Sequence, residues 1–71
     1  MLPYHFSIRD RGTKLENLGF DAFDNDAGAV AFGKQVIEDL LRDESKQYVG
    51  WVMDIAQDAR AVVSIPFSAS N

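Results

Sequence analysis

Asn25–Ser45 reads NDAGAVAFGKQVIEDLLRDES, and its spacing decides the fold. At about 100° per residue, Ala29, Val30, Gly33, Val36, Ile37, Leu40 and Leu41 gather on one face. Lys34, Gln35, Glu38, Asp39 and Arg42 fall on the other. Strict alternation fails at Val36-Ile37 and again at Leu40-Leu41, so a strand would split the apolar set between two faces. The stretch is expected to form one amphipathic helix. Asn25 is the expected N-cap, with Asp24 the second choice, because their side chains accept hydrogen bonds from orphan N–H groups of a first turn. Glu38 precedes Arg42 by one turn, in the orientation that favours a helical ion pair.

Small residues, Ala29 and Gly33, occupy the centre of the apolar face. Glycine inside a helix costs about 0.5–1 kcal/mol relative to alanine, and close approach to a sheet would compensate. Trp51 is the expected occupant of the seat over Ala29 and Gly33. Phe32 lies at the margin of the stripe, either covering a sheet edge or exposed.

The segments around the helix have period two. Tyr4–Asp10 places Tyr4, Phe6 and Ile8 on one side and His5, Ser7 and Arg9 on the other. Asp10-Arg11-Gly12-Thr13 is a turn, and Thr13–Glu16 a returning strand with Leu15 facing in. Asn17-Leu18-Gly19 interrupts it as a bulge or a second turn. Phe20–Phe23 resumes the alternation, and Phe20 and Phe23 are expected under the N-terminal end of the helix. Beyond the helix, Val49, Trp51, Met53 and Ile55 share a strand face, with Gly50 marking a bulge. Gln57–Arg60 is a hairpin loop. Ala61–Phe67 is the last strand, with Val63, Ile65 and Phe67 facing in, Val62 and Ser64 facing out, and Pro66 at its end.

The expected fold is α+β with the order ββαββ. A single domain spanning residues 1–71 would form a four-stranded, mainly antiparallel sheet with the helix on one face. About 20 helical residues span about 30 Å and six strand residues about 20 Å, so Arg42–Ser45 should overhang the sheet. The second sheet face, with His5, Ser7, Arg9, Val52, Asp54, Val62 and Ser64, is mixed in polarity and must meet water or another copy.

Composition narrows the function classes. A 71-residue chain has a thin core and gains from a disulfide, a metal or a partner. There is no cysteine and only one histidine, which removes disulfides, thiolate chemistry and a conventional zinc site. Homodimerisation is the remaining support. Seven basic against eleven acidic residues give a net charge of −4, the wrong sign for a phosphate-binding surface. Arg9, Arg11 and Lys14 form the one basic cluster, read as a solvated turn. Met1–His5 lacks the basic region and apolar run of a signal peptide, and no window approaches the roughly 20 apolar residues of a membrane span. A cytoplasmic protein without membrane association is expected.

Tyr4-His5-Phe6-Ser7-Ile8-Arg9-Asp10 with Gly12 resembles the opening of a family of small uncharacterised bacterial proteins. Further matches are Gly19, Asp21, Glu38-Asp39-Leu40-Leu41, Trp51, Asp58 before Arg60, and Val63-Ser64-Ile65-Pro66-Phe67. The chain departs from that family at Phe32 and Gly33, in a helix usually richer in alanine, and lacks a glycine between Asp58 and Arg60. The resemblance implies the strand-strand-helix-strand-strand order and supplies no catalytic residue. The acidic, glycine-bearing entry to the helix is also similar to small antitoxins, which implies neutralisation of a partner by direct contact.

No chemistry-bearing set emerges. His5 shares a predicted face with Ser7, but no nucleophile can be placed beside it. Asp21, Asp24 and Asp26 lack the glycine placement and terminal glutamate of a calcium loop and are better read as helix caps. The five glycines are too dispersed for a phosphate loop. The expectation is a non-catalytic protein-interaction module with no catalytic, cofactor or metal residues, partnered by itself or another protein. An antitoxin-like or nucleic-acid-binding regulator is the alternative.

Overall fold

The computed structural model describes residues 1–10, 15–42, 48 and 50–67. Strand β1 (Leu2–Arg9) and strand β2 (Leu15–Phe23) form the first hairpin, helix α1 (Asp26–Leu41) follows, and strands β3 (Val52–Gln57) and β4 (Arg60–Pro66) form the second. The strand order is β2-β1-β3-β4, antiparallel throughout. The two hairpins therefore join through their first strands, and β2 and β4 become the sheet edges. The α+β ββαββ architecture is as expected.

Register fixes the faces. Phe6 lies between Gly19 on β2 and Ile55 on β3, and Ile8 between Glu16 and Met53. Directly paired residues project to the same side, so Tyr4, Phe6, Ile8, Met53 and Ile55 form one surface. That surface, with Ala29 and Ile37 of α1 and with Tyr48 and Phe67, is the buried core. Val36, Leu40, Phe23, Val63 and Ile65 pack around it.

Helix α1 starts where expected. Asn25 is extended at φ −157° and its Oδ1 accepts from the Gly28 N–H at 2.9 Å. The C-terminal end differs. The α-helix stops at Leu41, and the Arg42 N–H bonds to the Asp39 carbonyl, an i→i−3 contact that tightens the last turn. Asp43–Ser45 lie outside the described residues. Sixteen helical residues span about 24 Å, no longer than a strand of eight or nine residues, and the overhang expected at Arg42–Ser45 falls mostly on residues outside those described. Leu41 at this end is exposed, although it belongs to the apolar stripe. Arg42 pairs with Asp39 at 3.4 Å rather than with the expected Glu38.

The seat at Gly33 exists, but Ile55 and Met53 fill it rather than Trp51. A Cβ at Gly33 would lie 2.8 Å from Ile55 Cδ1 and 3.1 Å from Met53 Sδ. Trp51 is not there. It precedes β3 in a turn in which its N–H bonds to the Tyr48 carbonyl at 3.0 Å and Gly50 takes φ +85°. Its ring meets Tyr48 edge-on at 5.3 Å, and Tyr48 stacks on Phe67 at 5.4 Å. Ile55 opposes Phe6 at the middle of the sheet, while Trp51 lies beyond the end of its strand. Central position therefore outweighed side-chain size. The expected start of this strand at Val49 falls on a residue outside those described.

In β2 the facing of the side chains is corrected. It is one nine-residue strand, and of the two readings of Asn17-Leu18-Gly19 the bulge holds and the second turn does not. Between Phe6 and Ser7 the pairing jumps from Gly19 to Asn17, leaving Leu18 as the extra residue of a bulge, with Gly19 at φ +104°. The bulge inverts the facing of everything before it. Leu15 pairs with Arg9 and is 61% exposed on the face away from the helix, not inward. Phe23 and Phe20 are three positions apart, an odd number, so in a regular strand they must point opposite ways. Phe23 packs inward, and Phe20 turns outward at 74% exposure. A similar irregularity on β4 leaves Val62 unpaired between Ala61 and Val63, and it packs against the core rather than facing out. The expected Thr13 and Lys14 positions of the first hairpin, and the tail after Phe67, lie outside the described residues.

Candidate interaction surface

Three parts of the molecule carry unabsorbed chemistry: a polar cluster joining the helix start to the second hairpin, the sheet face away from the helix, and edge strand β2.

The polar cluster centres on Asp26, the first residue of α1. The Tyr4 hydroxyl donates to Asp26 Oδ1 at 2.7 Å. Arg60 clamps the same carboxylate with two bonds, Nη1 to Oδ2 at 3.1 Å and Nη2 to Oδ1 at 2.9 Å, and Nη2 also donates to Gln57 Oε1 at 3.1 Å. The Arg60 guanidinium, then the Tyr4 hydroxyl, hold the Asp26 carboxyl down at a pKa of about 2. The same bond, followed by burial, pushes the Tyr4 hydroxyl above its ordinary value. Tyr4 is fully buried, so its hydroxyl needs a partner, and Asp26 supplies it. The sequence predicts a capping role for Asp26 and a loop position for Arg60. The pair is separated by 34 positions, and no local pattern joins them. The arrangement ties β1, α1, β3 and β4 together, with every polar member engaged by another residue of the protein.

The open face follows β1 through His5, Ser7 and Arg9. Asp54 of β3, opposite Ser7, accepts from Arg9 Nε at 2.6 Å and from the Ser64 hydroxyl at 2.6 Å. Burial pushes the Asp54 carboxyl up, but the bonds from Arg9 and Ser64 outweigh it and hold the group below the usual carboxylate range. The expected basic cluster thus has Arg9 tied to a carboxylate, while Arg11 and Lys14 lie outside the described residues. His5 stands with Ser7 on this face, as predicted, with its ring 4.8 Å from that of Phe20. The Ser64 hydroxyl gives its proton to Asp54 rather than to an imidazole. Phe20 and Leu15 leave an apolar margin along the β2 side, which sequence reading placed in the core.

On the helix side of β2 the position facing Phe6 is Gly19, and a groove of about 210 Å³ opens between β2 and α1, lined by Phe6, Leu18, Gly19, Phe20, Asp21, Phe32 and Val36. Phe32, left open between two roles by the sequence, lines this groove. It contacts Phe6 at 5.4 Å and Phe23 at 5.3 Å while remaining partly exposed. Among the described residues no group of three or more His, Asp or Glu is placed to hold a metal ion, and no helix is long and apolar enough to cross a membrane.

No family model, no curated protein and no solved structure matches this chain. The functional reading therefore rests on the surface itself.

Proposed function

We propose that this protein is a small, non-catalytic interaction module that self-associates through the open face of its sheet. The observation that carries this reading is the pair Phe20 and Leu15, 74% and 61% exposed on the face that no helix covers. Apolar side chains of this size gain roughly 1.5–3 kcal/mol each when buried, and a second copy would bury them alongside Val52. A chain of 71 residues without cysteine has few other sources of added stability. Arg9 and Asp54 sit side by side on the same face, so a two-fold related copy meets both signs of charge. The cysteine-free composition supports a reducing cytoplasmic setting.

Sedimentation across a wide concentration range tests the proposal. The expected result is a concentration-dependent monomer–dimer equilibrium that Leu15→Lys shifts to monomer without unfolding the chain. A strict monomer at every concentration would refute self-association. Nucleic-acid binding, the other reading, predicts retention on DNA or RNA at low salt, where phosphate contacts are strongest. Among the described residues Arg9 is already paired to Asp54, which gives that reading no free basic group on the first hairpin to rest on.

A further inference from the structure

The two edges of the sheet are built differently. Strand β4 begins with Arg60 and ends with Pro66, a residue that cannot donate to a ladder, and both features discourage another strand from pairing there. Strand β2 is longer, with nine residues, and carries no proline, lysine or arginine. Its only charges are the exposed Glu16 and Asp21. Beside it lies the groove whose open position is Gly19. Asp21 and Glu16 pair with Tyr4 and Ile8, so both belong to the helix side of β2, the side of that groove. The Asp21 carboxylate is turned onto the neighbouring Ala22 N–H at 3.0 Å, where it caps a backbone donor that a pairing strand could take over.

We infer that β2 and its groove receive an extended cationic segment of another protein as a fifth strand. The inference rests on reading the protein as an interaction module; it names a different occupant and partner chemistry for the edge and helix side of β2, which Phe20 borders together with the self-association face. Backbone pairing along β2 supplies the affinity common to strand addition, and side-chain pockets supply the choice of sequence. An apolar side chain of the incoming strand, opposite Gly19, enters the groove against Leu18, Phe32 and Val36. Its neighbour two positions away lies opposite Asp21, where lysine or arginine is favoured. A carbonyl of the incoming strand takes the Ala22 N–H and releases the Asp21 carboxylate for that cation. A second β2 is the wrong occupant, because it would set Glu16 and Asp21 against the same acids on a chain whose net charge is −4.

The test is a titration of the isotope-labelled protein, followed by amide chemical shifts, with a capped nine-residue peptide bearing a central Leu, Lys two positions to each side and Thr elsewhere. Shifts are expected on Leu15–Phe23 and at Phe32 and Val36. Replacing the lysines by Glu should weaken binding by about tenfold or more, and Asp21→Lys should reverse that preference. N-methylation of the alternate amides on the pairing edge should abolish binding. Failure to bind, equal affinity for the Lys and Glu peptides, undiminished binding of the N-methylated peptide, or shifts confined to β4 or to the face of His5 and Val52 would each overturn the inference. Sedimentation separates it from the broader proposal. A chain that dimerises but ignores the peptide refutes strand addition alone, and one that takes the peptide on β2 while staying monomeric refutes self-association alone.

Discussion

Replacing Gly33 by alanine sets two effects of known size against each other. Alanine gains about 0.8–1 kcal/mol of helix propensity over glycine. The new methyl would stand 2.8 Å from Ile55 Cδ1 and 3.1 Å from Met53 Sδ, and both side chains are fully buried with little room to retreat. Overpacking of this kind costs about 1–3 kcal/mol. The net expectation for Gly33→Ala is a loss of about 1 kcal/mol, which for a domain of this size lowers Tm by about 4–8 °C. Ile55→Val removes the offending Cδ1 and alone costs about 0.5–1.5 kcal/mol. In that background the Met53 thioether is flexible enough to yield, so Gly33→Ala should become neutral or stabilising. The cycle should therefore show a favourable coupling of about 1–2 kcal/mol, within the range found for residues in contact. Urea unfolding followed by circular dichroism and by the fluorescence of Trp51, the single tryptophan, measures all four proteins. Stabilisation by the full propensity in the native background, together with strict additivity, would refute the close approach of α1 to the centre of β3.

Two further outcomes follow from other residues. The Asp26 carboxyl sits at about 2 in the folded protein against 3.8 when unperturbed, so its contribution to stability is complete above pH 4 and is lost as pH falls through 2. Tm measured from pH 7 down to pH 2 should fall more steeply for the native protein than for Asp26→Asn, with the gap between them closing at the acid end; a gap independent of pH would remove Arg60 and Tyr4 as the cause. At Gly19 nothing lies within 4 Å of an added Cβ, yet φ is +104°, so Gly19→Ala should cost about 1–2 kcal/mol through the backbone alone. Chemical denaturation reads that cost, and a neutral result would mean that the bulge shifts along β2.

The organisation of this protein was legible from periodicity. The 3.6-residue stripe located α1 and its Asn25 cap, and the alternation of Tyr4, Phe6 and Ile8 placed the inner face of β1 correctly. These signals are local, because burial of one face imprints the period of the element on its own sequence. The seat at Gly33 was also visible, since an uncompensated glycine inside a helix asks for a close neighbour. Which neighbour fills it depends on strand pairing, and Ile55 rather than Trp51 takes the place because it opposes Phe6 at the sheet centre.

What tertiary structure alone decided was everything that depends on register and long-range pairing. A single extra residue at Leu18 turned Leu15 from core to surface, and the odd spacing of Phe20 and Phe23 sent one of them outward. Those outcomes create the apolar margin of the open face and the groove beside Gly19, the two surfaces proposed to bind. The Tyr4–Asp26–Arg60 cluster likewise joins residues from the first strand, the helix and the last strand. Sequence by itself determined which elements form and which faces α1 and β1 bury, because each carries its own period. It did not determine how strands align or which charges meet, because those depend on contacts between segments that share no local pattern.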